Sequence, residues 1–300
     1  MLDCIAGNAL TVQALQAALH AGRLSHSVLL YGEKGTGTGF AARCLAADYL
    51  YPNSPVEANK VMTGQSEECI EVAGEGASGE IRIDSIRQIR KEIFSTALTA
   101  AGRVVIVYDT QNFNGFSANA LLKVLEEPPE GVLFILTASN AAAVLPTIRS
   151  RCVSFSFGAV SMEECASYLR KHRPTGRGQE FLSQVFGGKI GTALECIDDP
   201  QRKGIFDDAL RLAQCAEKGN AYDAMLLLNR WEKDKPAAKQ LLEDVQAVSA
   251  ACMRGIPVQE LSASKAAPIG KLCQQARQQL MANANAKLVF CYLAAQLANL

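Results

Sequence analysis

Runs of consecutive apolar residues in the first half of the chain constrain its fold more than any other feature. The clearest are RVVIVY at 103–108 and VLFILTAS at 132–139, and a shorter run, SVLL, occupies 27–30. Segments with apolar residues at helical spacing lie between these runs. Strands that are apolar on both faces and alternate with helices are typical of a parallel sheet covered by helices on both sides. The sequence therefore predicts an α/β domain at this end of the chain.

The segments between the runs define the other predicted elements. Helices are expected at 8–23 and at about 39–50, and a third, SANALLKVLEE, stops at the prolines 128 and 129. A short strand at IRI is followed by a helix for which Asp84 is the expected N-cap. Residues 51–80 are rich in Pro, Gly, Ser and Glu, and we expect a loop or a poorly ordered insertion there.

The second half of the chain has a different character. From about residue 160 the composition turns to Ala, Leu, Gln and Lys, and the pattern predicts helices throughout. With 49% hydrophobic and 20% charged residues, the 300-residue chain can bury a substantial core. Lys and Arg together number 30, as do Asp and Glu, and this balance argues against a broad basic face that coats nucleic acid.

The cysteines do not suggest a metal site. Ten occur, all singly and without a CxxC pair, which is typical of reduced cysteines used as small apolar side chains. No metal site is therefore expected. The first residues lack the pattern of a secretory signal, and no apolar run reaches the roughly 18 residues of a transmembrane helix. These features favour a cytoplasmic protein.

The run NALLKVLEEPPEGVLFILTASNAAAVLPTIRSRC, at 119–152, resembles the clamp-loader branch of the AAA+ ATPases. The entry SHSVLLYGEKGTG is similar to that family too. The resemblance implies three parts: an AAA+ core at 1–158, a small helical lid at 159–203 and a helical collar at 204–300. In this family the collar joins the subunits into a ring.

The glycine-rich stretch YGEKGTGTGF, at 31–40, follows the first apolar run and precedes a predicted helix, as a phosphate-binding loop does. The pattern G-x-x-x-x-G-K-[ST], laid on Gly32 and Gly37, requires lysine where Thr38 stands and Ser or Thr where Gly39 stands. In a working loop the lysine contacts the β- and γ-phosphates and the hydroxyl holds Mg²⁺. We therefore expect a degenerate loop that keeps its shape without this chemistry.

Two further sites differ from the nucleotide-binding motifs of the family that the chain resembles. The resemblance places the Asp-Glu pair of the second nucleotide motif at Asp109 and Thr110, and Thr110 cannot act as a general base near neutral pH. Asp109 could still touch a metal, although a capping or loop role is the stronger expectation. The arginine of the lid corresponds to Gly191. The three losses predict that the chain requires no nucleotide cofactor and neither binds ATP tightly nor hydrolyses it.

By contrast, Ser150-Arg151-Cys152 matches the family. The resemblance implies that Arg151 enters the ATP site of a neighbouring subunit as an arginine finger, which neutralises charge on the transferring phosphoryl group. The expected partners are the gamma/tau and delta subunits of the bacterial DNA polymerase III loader and, through the complex, the sliding clamp and primed DNA. The chain would be an accessory subunit of the polymerase holoenzyme.

Two alternatives stay open. One is an active loader-type ATPase that uses an altered phosphate loop, and the other is an AAA+-like adaptor outside replication. Nucleotide affinity separates the first from the expected role, and association with loader subunits separates the second.

Overall fold

The chain forms two compact units, and the predicted fold class is confirmed. The computed structural model describes residues 1–76, 79–94, 102–174 and 178–300. The units are Met1–Val160 and Ser161–Leu300. The first contains a parallel sheet flanked by helices, and the described part of the second contains helices and no strand.

A five-stranded parallel sheet forms the centre of the first unit. Its strands are β1 (Ser27–Tyr31), β2 (Cys69–Val72), β3 (Arg103–Val107), β4 (Val132–Ala138) and β5 (Val153–Ser156). They lie in the order β2-β3-β4-β1-β5. All seven residues of β4 are buried, as the apolar run predicts for a strand covered on both faces. Because the strands are parallel, the carboxyl ends of β1 and β3 lie at the same edge of the sheet.

Helices cover both faces of this sheet. They are α1 (Ala9–His20), α2 (Thr38–Leu50), α3 (Pro55–Met62), α4 (Ile83–Ile93), α5 (Gly115–Glu126) and α6 (Pro146–Arg149). Alternate residues of one strand enter different cores: Val28 and Leu30 of β1 pack in the cluster that contains Leu45 of α2. Leu29 packs in the cluster that contains Leu121 of α5. This period of two fixes which helices lie on which face.

The prediction of a loop or a poorly ordered insertion at 51–80 is wrong. The segment contains α3 and the edge strand β2. Pro55 occupies the start of α3, where its missing N–H costs nothing, and Ala58 and Val61 are buried in the core. The polar composition misled because β2 is short and only partly buried. The last part of the segment includes residues 77–78, which lie outside the described residues.

Two local predictions are also corrected. The N-cap of α4 is Arg82, so Asp84 lies within the first turn, where its charge still favours the helix dipole. The strand expected before it is reduced to an isolated bridge between Ile81 and Phe113. Strand β5 was not predicted, because VSFS carries too little apolar character, yet it pairs in parallel with β1.

The second unit contains α7 (Met162–His172), α8 (Gln179–Val185), α9 (Ile190–Asp198), α10 (Pro200–Lys218), α11 (Ala221–Arg230), α12 (Lys235–Met253), α13 (Ala263–Met281) and α14 (Ala286–Ala298). Asp199 caps α10 through the N–H of Gln201. Helix α10 runs through the boundary that we expect between lid and collar, at 203/204, and this subdivision stays a prediction. Within the described ranges, no helix is both long and apolar enough to cross a membrane.

Candidate functional site

The glycine-rich loop joins the carboxyl end of β1 to the start of α2. Gly35 and Gly37 have φ angles of +87° and +92°, a backbone region that glycine adopts at little cost. Gly37 is the N-cap of α2, and Thr38 is its first helical residue. The strand, turn and helix thus keep the arrangement that points backbone N–H groups at an anion in phosphate-binding proteins.

Gly32 is fixed by packing against the segment that follows β5. A Cβ atom at this position would lie 2.2 Å from the carbonyl oxygen of Phe157 and 2.6 Å from Oγ1 of Thr36. The Thr36 hydroxyl in turn donates to the carbonyl oxygen of Glu33, across 2.8 Å. The loop is therefore a close-packed part of the first unit, and its first glycine is required whether or not a phosphate binds.

The first turn of α2 lacks the two side chains that a working loop supplies. Thr38 has no charge to offer the β- and γ-phosphates, and Gly39 has no hydroxyl for Mg²⁺. The backbone N–H groups and the helix dipole remain, and these attract an anion without fixing a metal.

Tyr108, which the sequence reasoning missed, lies directly against this turn. Its Cε1 atom is 3.3 Å from the position of a Cβ at Gly39. Its hydroxyl donates to Oε2 of Glu71, at 2.9 Å. Burial, reinforced by the charge of Glu71, raises the pKa of Tyr108, so the phenol stays a neutral donor. The available signal was a polar aromatic residue at the end of an apolar strand.

Arg43 completes this group of side chains. It lies on α2, and its Nε and Nη2 atoms donate to the two carboxylate oxygens of Glu71, at 2.9 and 2.7 Å. A two-point pair of this kind fixes orientation as well as charge. Arg43, Glu71 and Tyr108 thereby connect α2, β2 and the end of β3. We call these three residues the tyrosine network.

Asp109 and Thr110 lie where β3 leaves the sheet, and both contact β4. Asp109 has a left-handed backbone, with φ of +53°, and its Oδ1 atom accepts a hydrogen bond from Nε2 of Gln111 at 3.0 Å. Its backbone N–H donates to Oγ1 of Thr137. The buried Thr110 hydroxyl donates to the Thr137 carbonyl at 2.9 Å. These bonds hold the chain turn together. Gly191 lies in α9, in the second unit.

Arg151 follows α6 and is partly exposed. Its Nη2 atom donates to Oε1 of Glu126 at 2.6 Å, and its Nη1 atom donates to the carbonyl oxygen of Thr147 at 2.9 Å. The Arg151 side chain keeps 36% of its surface exposed. The other guanidinium nearby, that of Arg149, donates to the carbonyl of Ala141 at 3.3 Å. Arg151 is therefore held at the surface in a defined orientation.

Among the residues that the structure describes, no group of three or more His, Cys, Asp or Glu side chains is placed to hold a metal ion.

The sequence is similar to known replication proteins. A family model described as DNA polymerase III, delta subunit, matches residues 7–161, just over half of the chain. DNA polymerase III subunit gamma of Buchnera aphidicola is 29% identical over 217 residues, which cover 71% of this chain and 57% of that protein. Subunit tau of Bacillus subtilis is 29% identical over 271 residues, covering 80% and 48%. The chain thus spans about half the length of these relatives.

A solved structure shares the fold. The crystal structure of a DNA polymerase III gamma subunit-related protein from Thermotoga maritima matches with a TM-score of 0.59 and 19% identity, over 95% of this chain and 98% of that one. This likeness agrees with a parallel-sheet core followed by helices. The family model matches more than half of this chain, and the chain therefore belongs to the DNA polymerase III delta subunit family.

Proposed function

We propose that the chain is a delta-prime-type subunit of the bacterial DNA polymerase III clamp loader. It joins gamma/tau and delta subunits in the cytoplasm, does not hydrolyse ATP itself, and supplies Arg151 to the ATP of a gamma/tau neighbour. The complex then places the sliding clamp on primed DNA. The observation that carries the proposal is an exposed, oriented Arg151 in a chain whose own phosphate loop has Thr38 and Gly39 at the catalytic positions.

The loop supports the absence of ATP hydrolysis by this chain. The lysine missing at Thr38 would make a charge-assisted hydrogen bond to the phosphates, worth about 1.5–3 kcal/mol. The hydroxyl missing at Gly39 would hold Mg²⁺. Thr110, whose hydroxyl is bonded to the Thr137 carbonyl, provides no base for the attacking water.

Arg151 has the properties that a finger needs. A guanidinium is always charged and presents planar donors that match a phosphoryl group, and such residues contribute about 10³–10⁵ in rate where measured. Its exposure leaves it accessible to another subunit, and the hydrogen bonds to Glu126 and Thr147 limit the conformations that it must lose on docking.

The last helix supports the proposed collar. Leu288 and Tyr292 are one helical turn apart on α14 and are 70% and 60% exposed. Met281, at the end of α13, is also exposed. Apolar side chains grouped on a helix face are typical of a surface that packs against a partner.

The test is reconstitution with gamma/tau and delta subunits. Arg151→Ala should assemble normally, because a surface substitution usually changes stability by less than about 0.5 kcal/mol. Clamp- and DNA-stimulated ATP turnover by the complex should fall, partially if other sites receive their arginines from other subunits. Arg151→Lys should restore little, since an ammonium lacks the planar donors. Arg149→Ala is the matched control and should leave turnover near the unmutated level.

The isolated chain provides a second measurement. We expect ATP to bind more weakly than about 1 mM, a binding free energy of about −4.1 kcal/mol. A micromolar dissociation constant would identify an ATPase with an altered loop. Failure to co-purify with gamma/tau and delta would remove the chain from the loader, and normal turnover with Arg151→Ala would leave it a scaffold alone.

A further inference from the structure

The ring of Tyr108 packs against Gly39, where a working phosphate loop carries the metal-binding hydroxyl. Carbon atoms in ordinary contact lie about 3.5–4.0 Å apart. A Cβ on Gly39 would already lie 3.3 Å from Cε1 and 3.8 Å from Cδ1 of Tyr108. A serine or threonine adds an oxygen beyond that Cβ. The tyrosine ring therefore borders the volume that the metal-binding hydroxyl of a working loop would need.

The ring is anchored at its far end. The Tyr108 hydroxyl donates to Glu71, and Glu71 accepts two hydrogen bonds from Arg43. Arg43 follows Gly39 by four residues on α2, so it lies on the same face of that helix. Moving the ring away would break the bond to Glu71 and leave a half-buried carboxylate short of a donor.

We propose that Tyr108, held by Glu71 and Arg43, closes the degenerate loop to a metal-bound nucleotide, so that restoring the loop residues alone would not restore binding. This inference rests on the proposed function, in which the chain does not bind ATP tightly, and it names the residue that enforces that property. Tyr108 acts by occupying space beside the first turn of α2, and the tyrosine network acts by holding the ring there.

The test combines loop repair with removal of the ring. Thr38→Lys with Gly39→Thr restores the loop pattern, and the same pair is made in a Tyr108→Ala background. Binding of a fluorescent ATP analogue with Mg²⁺ is measured for both by titration. We expect the protein with Tyr108→Ala to bind at least about tenfold more tightly, equivalent to about 1.4 kcal/mol. Tyr49→Ala, which removes a half-buried tyrosine further along α2, is the matched control and should give no gain.

A stability cycle checks the steric basis without any nucleotide. Gly39→Ser should lower the melting temperature in the presence of Tyr108, and the loss should be about half as large or less with Tyr108→Ala, since contacting residues couple. Tyr108→Phe keeps the ring and loses the hydrogen bond to Glu71, so its coupling to Gly39→Ser should lie between those of tyrosine and alanine. Circular dichroism establishes that each variant is folded.

The outcomes separate the two proposals. If removing Tyr108 gives the repaired loop no gain in affinity, the inference is wrong, whether both repaired proteins bind or neither does. Additive effects in the stability cycle would equally overturn it. The proposed function fails on a different result, namely micromolar ATP binding by the unmutated chain.

Discussion

The guanidinium of Arg151 is joined to the carboxylate of Glu126 by a 2.6 Å hydrogen bond from Nη2 to Oε1. Glu126 ends α5, within LLKVLEEPP, and Arg151 lies in the SRC sequence, so the two most specific motifs of the chain are in contact. Both side chains remain well exposed. Exposed ion pairs typically contribute about 0.2–1 kcal/mol, so this one orients Arg151 more than it stabilises the fold.

Glu126→Gln tests that orienting role. It keeps the shape of the side chain and removes its charge, and stability should change by no more than about 0.5 kcal/mol. Under the proposed function, ATP turnover by the reconstituted complex should fall, by less than for Arg151→Ala, because the finger must then be ordered on docking. Glu127→Gln is the neighbouring control. Equal turnover for Glu126→Gln and the unmutated complex would show that the pair has no positioning role.

Gly32→Ala tests the packing of the loop. Its Cβ would lie 2.2 Å from the Phe157 carbonyl oxygen, so backbone must move. Overpacking of this kind costs about 1–3 kcal/mol. Gly115→Ala is the control in the same unit, because a Cβ there meets nothing within 4 Å. Urea unfolding followed by circular dichroism should separate the two variants, and similar midpoints for both would contradict the packing argument.

Substitutions in the buried ion pair of Arg202 and Asp244 should change the stability of the second unit. Nη2 of Arg202 donates to Oδ1 of Asp244 at 2.8 Å, and the side chains are 7% and 1% exposed. Asp244→Asn leaves a buried guanidinium without its counter-charge, which costs about 3–5 kcal/mol. The double variant Arg202→Met, Asp244→Leu should regain most of this loss. Fluorescence of Trp231, the single tryptophan, follows unfolding of this unit. A double variant as unstable as Asp244→Asn would be the contrary result.

The cysteines should differ sharply in reactivity. Cys4 and Cys291 are exposed, and both should react rapidly with iodoacetamide at pH 8. Burial raises the pKa of several thiols from 9.0 to about 12, which keeps them protonated: Cys44, Cys69, Cys152, Cys196 and Cys273. Mass spectrometry of the native chain should find the three buried thiols, Cys44, Cys196 and Cys273, unmodified after the exposed pair has reacted. Early modification of any of them would contradict the burial.

The same thiols predict a loss of stability in alkali. Their pKa is higher in the folded state, near 12, than the ordinary value of 9.0. The unfolded chain therefore releases protons first as pH rises above 9, and the free energy of unfolding falls between pH 9 and 12. The slope is at most about 1.4 kcal/mol per pH unit for each thiol. Urea unfolding at pH 8 and pH 10 measures it, and Cys273→Ala should make the dependence shallower.

The parts of the fold that the sequence predicts are those with one dominant physical cause. Strands β3 and β4 are recognisable because both faces are buried, and α5 is recognisable because prolines follow it. Strands β2 and β5 form the two edges of the sheet. An edge strand is partly exposed and need not be apolar, so neither shows the pattern of a central strand. Their pairing depends on neighbours that local sequence does not specify.

The candidate site divides in the same way. The missing lysine at position 38 and the missing hydroxyl at position 39 can be identified by comparing the loop with a known motif. Tyr108 cannot be identified in this way. A motif states which ligand residues are required, and it says nothing about another side chain that occupies the space of those ligands. Its role depends on contacts with Gly39 and Glu71, which are distant from it in sequence. Only the packing of β3 beside α2 brings them together.

The close approach of Tyr108 to Gly39 also limits how the chain can change. With the aromatic ring in place, a side chain at position 39 meets a crowded contact, because its Cβ would lie 3.3 Å from Cε1 of Tyr108. With glycine at position 39, replacing the tyrosine alone supplies no ligand for a metal. A metal-binding loop would therefore require substitutions at both positions. If position 39 changes first, the new side chain is crowded by the ring. If Tyr108 changes first, the protein loses packing and gains no metal ligand. Each residue thus preserves the other against single substitutions.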